Sequence, residues 1–182
     1  MLSVVSLLAY VACVPFANWL IGHVGTVCVP HGPCLVPVGF GLTAPSGVLL
    51  AGLALVLRDA VQARLGFVVA ATAVLAGAAL SAFVAPPSLA LASGAAFLIS
   101  EAVDTIVYTP LRRRGLVLAV AASSVVGLAI DSVAFLLLAF GSLQFLAGQL
   151  VGKGWMVGAA TVVLALFHRL SIARTAHSGR GT

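Results

Sequence analysis

Glu101, Asp104 and Asp131 stand inside hydrophobic stretches long enough to cross a lipid bilayer, and they are three of only four acidic residues in the chain. A carboxylate at the centre of a membrane span costs about 2.5–3.5 kcal/mol even on the lenient insertion scale, and more when it has no partner. A fold that keeps three of them must turn them toward a bundle interior or a wet cavity, where such groups hold a substrate, an ion or a proton. The chain therefore has to be apolar outside and polar at its centre.

Composition agrees. Hydrophobic residues make up 62% and charged ones 7%, against roughly 25% charged in an average soluble domain. At 182 residues there is one domain. No GxxxxGK[ST] run is present, which excludes ATP hydrolysis by a phosphate loop. Spanning the hydrocarbon takes ~20 residues, and the apolar runs supply six candidates: Leu2–Ile21, Val36–Leu57, Phe67–Val84, Leu89–Tyr108, Leu116–Phe140 and Phe145–Phe167.

The basic residues follow the same division. Arg58 and Arg64 fall between spans two and three, Arg112, Arg113 and Arg114 between four and five, and Arg169, Arg174 and Arg180 after span six. Eight of the nine Lys and Arg (2 + 3 + 3) are thus placed on one face, which the positive-inside rule makes cytoplasmic. This distribution accounts for the net charge of +5 without a nucleic-acid surface. The expected fold is an all-α integral membrane protein with six transmembrane helices and both termini cytoplasmic. Residues 1–174 form a single transmembrane domain and 175–182 a disordered tail. Span one has no basic n-region and runs on into Trp19 and Leu20, so it reads as a permanent helix rather than a cleaved signal.

Span two is interrupted by Gly39, Gly41, Pro45 and Gly47, with Thr43 and Ser46 among them. Freed backbone is tolerated at membrane depth only where it lines a cavity or is buried in protein. A helix broken near Gly39–Gly47 is the expectation, as in transporters that build substrate sites from broken helices. The alternative, that these residues belong to the outer loop and the helix begins only near Ser46, leaves Gly47–Leu57 short for a span. Cys13 reads as a packing residue. In the loop placed outside, Cys28-x-x-His31-x-x-Cys34 matches no standard zinc spacing; a disulfide and two free thiols both remain open.

Phe97, Glu101, Asp104 and Tyr108 share one helical stripe in span four, Ser124, Gly127 and Asp131 one in span five, and Gln149, Lys153 and Met156 one in span six. With a rise of ~1.5 Å per residue, Glu101 falls near mid-bilayer with Ser124 close to its depth, Asp131 lies nearer the outside and Lys153 between the two, so the stripes can converge on one cavity. Each has a plainer reading as well. Lys153 can neutralise Asp131 or Glu101 as a structural ion pair, Asp104 can anchor to the Arg112–Arg114 cluster, and Asp59 can be a solvated helix end.

The stretch from Ser100 to Arg112, SEAVDTIVYTPLR, resembles the core motif of the queuosine precursor transporter family, also called the vitamin uptake transporter family. The resemblance continues through Ser123-Ser124, Gly127, Asp131-Ser132, Phe140-Gly141, Gln149 and Gly152-Lys153. The segment from Arg58 to Gly66 resembles the family's second block. What this implies is six membrane helices in the cytoplasmic (inner) membrane and import of 7-deazaguanine bases such as preQ0 and preQ1 by alternating access. The partners are the base and the lipid bilayer, with a homodimer compatible and no cofactor, metal or enzymatic activity.

A guanine-like edge offers an N1–H and an exocyclic amine that a carboxylate accepts in a forked pair. Glu101 or Asp131 is the natural acceptor. Gln149, Gln62, Asn18 or Ser124 address the carbonyl and ring nitrogens, Phe97, Tyr108 or Trp155 stack on the ring, and Lys153 offsets the carboxylates. Asp104 completes the candidate set. Rival readings are a substrate-capture subunit that needs an energising partner, an intramembrane enzyme using Glu101 and Asp104 as an acid/base pair, and a purely structural membrane protein. No HExxH or GxSxG motif supports the enzyme.

Overall fold

In the computed structural model, residues 2–30, 32–111, 113–114 and 116–159 are described. Helix α1 (Leu2–His23) leads into a small antiparallel sheet of β1 (Val27–Cys28), β2 (Cys34–Gly39) and β3 (Leu42–Pro45), in that spatial order. Four helices follow: α2 (Val48–Leu65), α3 (Phe67–Ser81), α4 (Pro87–Leu111) and α5 (Leu116–Phe140). A sixth, α6, is described over residues 146–159. The rest of span six, the tail expected at 175–182, His31 and Arg112 lie outside the described residues.

Among the described residues, three helices are long and apolar enough to cross a membrane: Val4–His23, Pro87–Leu111 and Ala122–Phe140. The distribution of polarity is inverted relative to a water-soluble fold. Leu8, Phe83, Leu91 and Ile106 are exposed, while Arg58, Glu101, Gln149 and Lys153 are buried. Lipid accepts the first group, and only a protein interior with partners accepts the second. The chain is a membrane protein with a polar interior.

The all-α expectation and the break in span two need correction. The segment 34–45 is a β-hairpin, and the second helix begins only at Val48 and runs on to Leu65. Its local chemistry explains this. Val36, Pro37 and Val38 alternate in burial with a period of two. Register pairs Gly39 with Leu42, leaving Phe40 and Gly41 as a two-residue turn with φ of 56° and 72°. Positive φ at both turn residues gives the twist that a tight hairpin requires. The sheet is fastened to the end of α1: Thr26 N–H donates to the Leu35 carbonyl at 2.8 Å, and the Ser46 hydroxyl to the Leu20 carbonyl at 2.7 Å. Cys28 and Cys34 are register partners and form a disulfide, which leaves neither thiolate free as a metal ligand.

The later end of α2, at Leu65 rather than Leu57, also moves Arg58. Reading it as a loop residue was wrong: it lies inside the helix and is 8% exposed. Gly66, at φ 88°, both ends α2 and starts α3, a conformation open to glycine alone. Arg64, Arg113 and Arg114 mark this end of the bundle, opposite the hairpin.

Candidate functional site

Helix α6 is set by two glycines one turn apart. A Cβ on Gly148 would overlap the Thr43 carbonyl oxygen, and one on Gly152 would sit 2.8 Å from Val48 Cγ2. From the other side, a Cβ on Gly52 would lie 2.9 Å from Lys153 Cα. The helix therefore lies directly on the hairpin and on α2, as small residues allow in membrane packing. The next position round the helix, roughly 100° on, belongs to Gln149 and Lys153. Both face a cavity.

That cavity has a volume of about 80 Å³, and every helix contributes to its wall. It holds several water-sized groups. Much of the lining is aliphatic or aromatic, including Val14, Ile21, Leu55, Phe97 and Phe135. The polar groups are Tyr10, Asn18, Ser93, Asp131, Gln149 and Lys153. Lys153, only 1% exposed, places Nζ 2.5 Å from Asp131 Oδ2 and 3.0 Å from the Ser132 hydroxyl oxygen. That hydroxyl donates to the Leu128 carbonyl, so its oxygen is free to accept from the ammonium. Across the cavity, Ser93 Oγ donates to Asn18 Oδ1 at 2.8 Å.

Three buried polar atoms on this cavity have no hydrogen-bond partner among the described residues: Tyr10 Oη, Asn18 Nδ2 and Gln149 Oε1. A buried donor or acceptor left unsatisfied costs about 1–3 kcal/mol. Three around one cavity, two on α1 and one on α6, are groups that a polar guest can satisfy.

A second polar cluster lies apart from the cavity. Arg58 Nη1 donates to Glu101 Oε1, a buried pair linking α2 to α4, and Arg58 Nε lies 3.1 Å from Asp59 Oδ1. The guanidinium is 6.0 Å from the centre of the Phe97 ring, whose own neighbour is Tyr10 at 6.3 Å. Phe97 and Tyr10 thus line the cavity and also stand beside the Arg58–Glu101 pair. Asp104 lies off the cavity against Gly127, where a Cβ would approach its Oδ1 to 3.4 Å.

Of the residues singled out in the sequence, Asn18, Phe97, Asp131, Gln149 and Lys153 come together on the cavity; Glu101, Asp104, Gln62 and Tyr108 do not line it. Ser124 is exposed on the outer side of α5, one position round from the buried Ser123. Trp155 is 56% exposed, stacks on Phe40 and donates its Nε1–H to the Val38 carbonyl, so it braces the hairpin instead. Tyr10, Ser93 and Arg58 are the residues the sequence reading missed. Signals for two of them existed. Tyr10 stands eight positions before Asn18 on one face of α1, and Ser93 stands one turn before Phe97 on the Glu101 stripe.

Residues 81–169 match the model of the family described as "Putative vitamin uptake transporter". This is the family of queuosine precursor transporters, and residues 81–169 of the chain are similar to it. The match holds Ser93, Glu101, Asp131, Gln149 and Lys153; α1, the hairpin and Arg58 precede it. No curated protein and no solved structure matches the chain.

Proposed function

We propose that the protein imports a 7-deazaguanine queuosine precursor, preQ0 or preQ1, across the cytoplasmic membrane by alternating access around this cavity. The observation that carries the reading is the group of three unpartnered atoms, Tyr10 Oη, Asn18 Nδ2 and Gln149 Oε1, beside the Asp131–Lys153 pair. Their chemistry complements the base. Asp131 takes the N1–H and the exocyclic amine in a forked pair on its two oxygens, the second lone pair of Oδ2 staying with Lys153. Asn18 Nδ2 donates to the ring carbonyl, and Gln149 Oε1 accepts a further ring N–H. Phe97 and Phe135 supply flat apolar surface for the ring plane. Glu101, paired with Arg58, serves to hold α2 on α4 rather than to touch the base.

The test is calorimetric titration of the purified protein with preQ0 and preQ1, with guanine and biotin as controls, followed by uptake into vesicles containing this protein alone. Deazapurine-selective binding that is lost in Gln149→Leu, together with uptake, supports the proposal. A folded protein that binds neither deazapurine refutes it. Binding without uptake would instead describe a capture subunit that needs a partner.

A further inference from the structure

We propose that Ser93 is a positioning residue that holds the Asn18 amide with its Nδ2 donor toward the cavity, making the site select a base with a ring carbonyl over the same base carrying an amine there. The inference rests on the importer reading and concerns how that site discriminates.

An asparagine side chain presents an acceptor on one branch and a donor on the other, and a half-turn about its last bond exchanges them. Asn18 is 2% exposed and lies within α1, whose neighbouring lining residues Cys13, Val14, Ala17 and Ile21 offer no strong side-chain hydrogen bond to fix that choice. Ser93, on α4, is the partner that engages one branch. Its hydroxyl donates to Asn18 Oδ1 at 2.8 Å, which engages the oxygen and leaves Nδ2 as the unpartnered branch on the cavity wall. A donor in that position is satisfied by a carbonyl and meets an amine donor to donor. Were the amide reversed, Oδ1 would face the guest and the preference would invert. Ser93 is therefore the residue on which selectivity turns, through Asn18.

The hydroxyl is the operative group, so Ser93→Thr keeps the function and Ser93→Ala removes it. The probes are preQ0 and its 2,6-diamino counterpart, in which an amine replaces the ring carbonyl and N1 loses its hydrogen, titrated into the full-length protein alongside melting temperatures. The change at N1, which faces Asp131, is common to every variant, so the change in ratio between variants reads Asn18. The unaltered protein is expected to prefer preQ0 by about 100-fold, since a site built around one hydrogen bond rejects the analogue that cannot make it. Ser93→Ala is expected to narrow that ratio about tenfold and to lower the melting temperature, because the buried Asn18 Oδ1 loses its partner, and Ser93→Thr to restore both. A merely structural role for Ser93 would shift stability and leave the ratio alone; that result overturns the proposal, as does equal binding of both bases by the unaltered protein. If the unaltered protein binds neither base, the importer reading falls and this inference falls with it.

Discussion

Lys153 reaches from α6 to Asp131 on α5, its ammonium 2.5 Å from one carboxylate oxygen, and this salt bridge forms part of the cavity wall instead of being sealed behind it. The pair has two functions that can be separated. It neutralises two charges that lipid and apolar side chains would not tolerate singly, and it presents a carboxylate oxygen to whatever enters.

Removing one partner should show the first function. Lys153→Met leaves Asp131 unpaired beside the cavity and is expected to cost about 3–5 kcal/mol, as when a buried pair is broken from one side. Replacing both partners, Lys153→Met with Asp131→Leu, should recover most of that loss while still abolishing base binding. Thermal unfolding in detergent reads the first effect and calorimetry the second; a single variant as stable as the parent would contradict the pairing.

Arg58 and Glu101 form the comparable pair between α2 and α4, away from the cavity wall. Glu101→Gln keeps a hydrogen-bond acceptor beside Arg58, which also has Asp59 at 3.1 Å. The expected loss is therefore modest, about 1–3 kcal/mol, with preQ0 affinity changed by less than about threefold. Arg58→Leu strands Glu101 and should cost more, about 3–5 kcal/mol. Base binding lost in Glu101→Gln at unchanged stability would instead put that carboxylate on the ligand.

These contrasts show which parts of the molecule could be read in advance. Span five, Leu116–Phe140, coincides with α5, and span four, Leu89–Tyr108, lies within Pro87–Leu111, because a helix in lipid must be apolar on nearly every side. Span two failed for a physical reason. Val36, Val38 and Ala44 are as apolar as a helix face, and hydropathy does not distinguish a hairpin from a helix. The glycines that suggested a break, Gly39 and Gly41, flank Phe40 in the hairpin turn. The error shifted the helix start, and ending the span at Leu57 rather than Leu65 took Arg58 from a buried pair to a loop. Pairing of Lys153 with Asp131 was among the readings that charge alone allowed, because a lysine inside a span requires a carboxylate. Which of Glu101 and Asp131 faces the cavity depended on the rotation of α4 and α5, which sequence spacing does not fix.

Ser123 and Ser124 make that rotation testable. Ser124 is exposed and Ser123 is 3% exposed, one residue and roughly 100° apart on α5. Ser124→Leu should leave both melting temperature and preQ0 affinity unchanged, since it adds apolar surface to an already lipid-facing side. Ser123→Leu overfills a packed interior and should lower stability by about 1–3 kcal/mol. The reverse order would mean that α5 is turned relative to its neighbours.

The Cys28–Cys34 disulfide closes a short loop at the hairpin end, far in sequence from every polar group on the cavity wall except Asn18. Replacing both cysteines by serine frees the unfolded chain to explore more conformations and is expected to cost about 2 kcal/mol. Affinity for preQ0 should be retained, because neither cysteine lines the cavity. Unfolding of the double variant beside the reduced parent tests this; two proteins of equal stability to the oxidised one would show that the sheet holds without its crosslink.

Three glycines of α6 separate contact from mere helix propensity. All three replace a poor helix former by the best one, so Gly→Ala should stabilise by about 0.5–1 kcal/mol wherever space permits. Gly154 has nothing within 4 Å of its Cβ direction and should show that gain. At Gly152 the nearest atom is Val48 Cγ2 at 2.8 Å, a side-chain methyl on a well-packed residue, so the gain should be cancelled or slightly reversed. At Gly148 the obstacle is the Thr43 carbonyl, which is backbone in the hairpin and cannot rotate aside. Gly148→Ala must therefore push α6 away from β3, carrying Gln149 and Lys153 with it, and both stability and preQ0 binding should fall. Melting temperatures in the order Gly154→Ala, Gly152→Ala, Gly148→Ala from highest to lowest are the expected outcome. A stable, fully binding Gly148→Ala protein would mean that the hairpin does not set the position of α6.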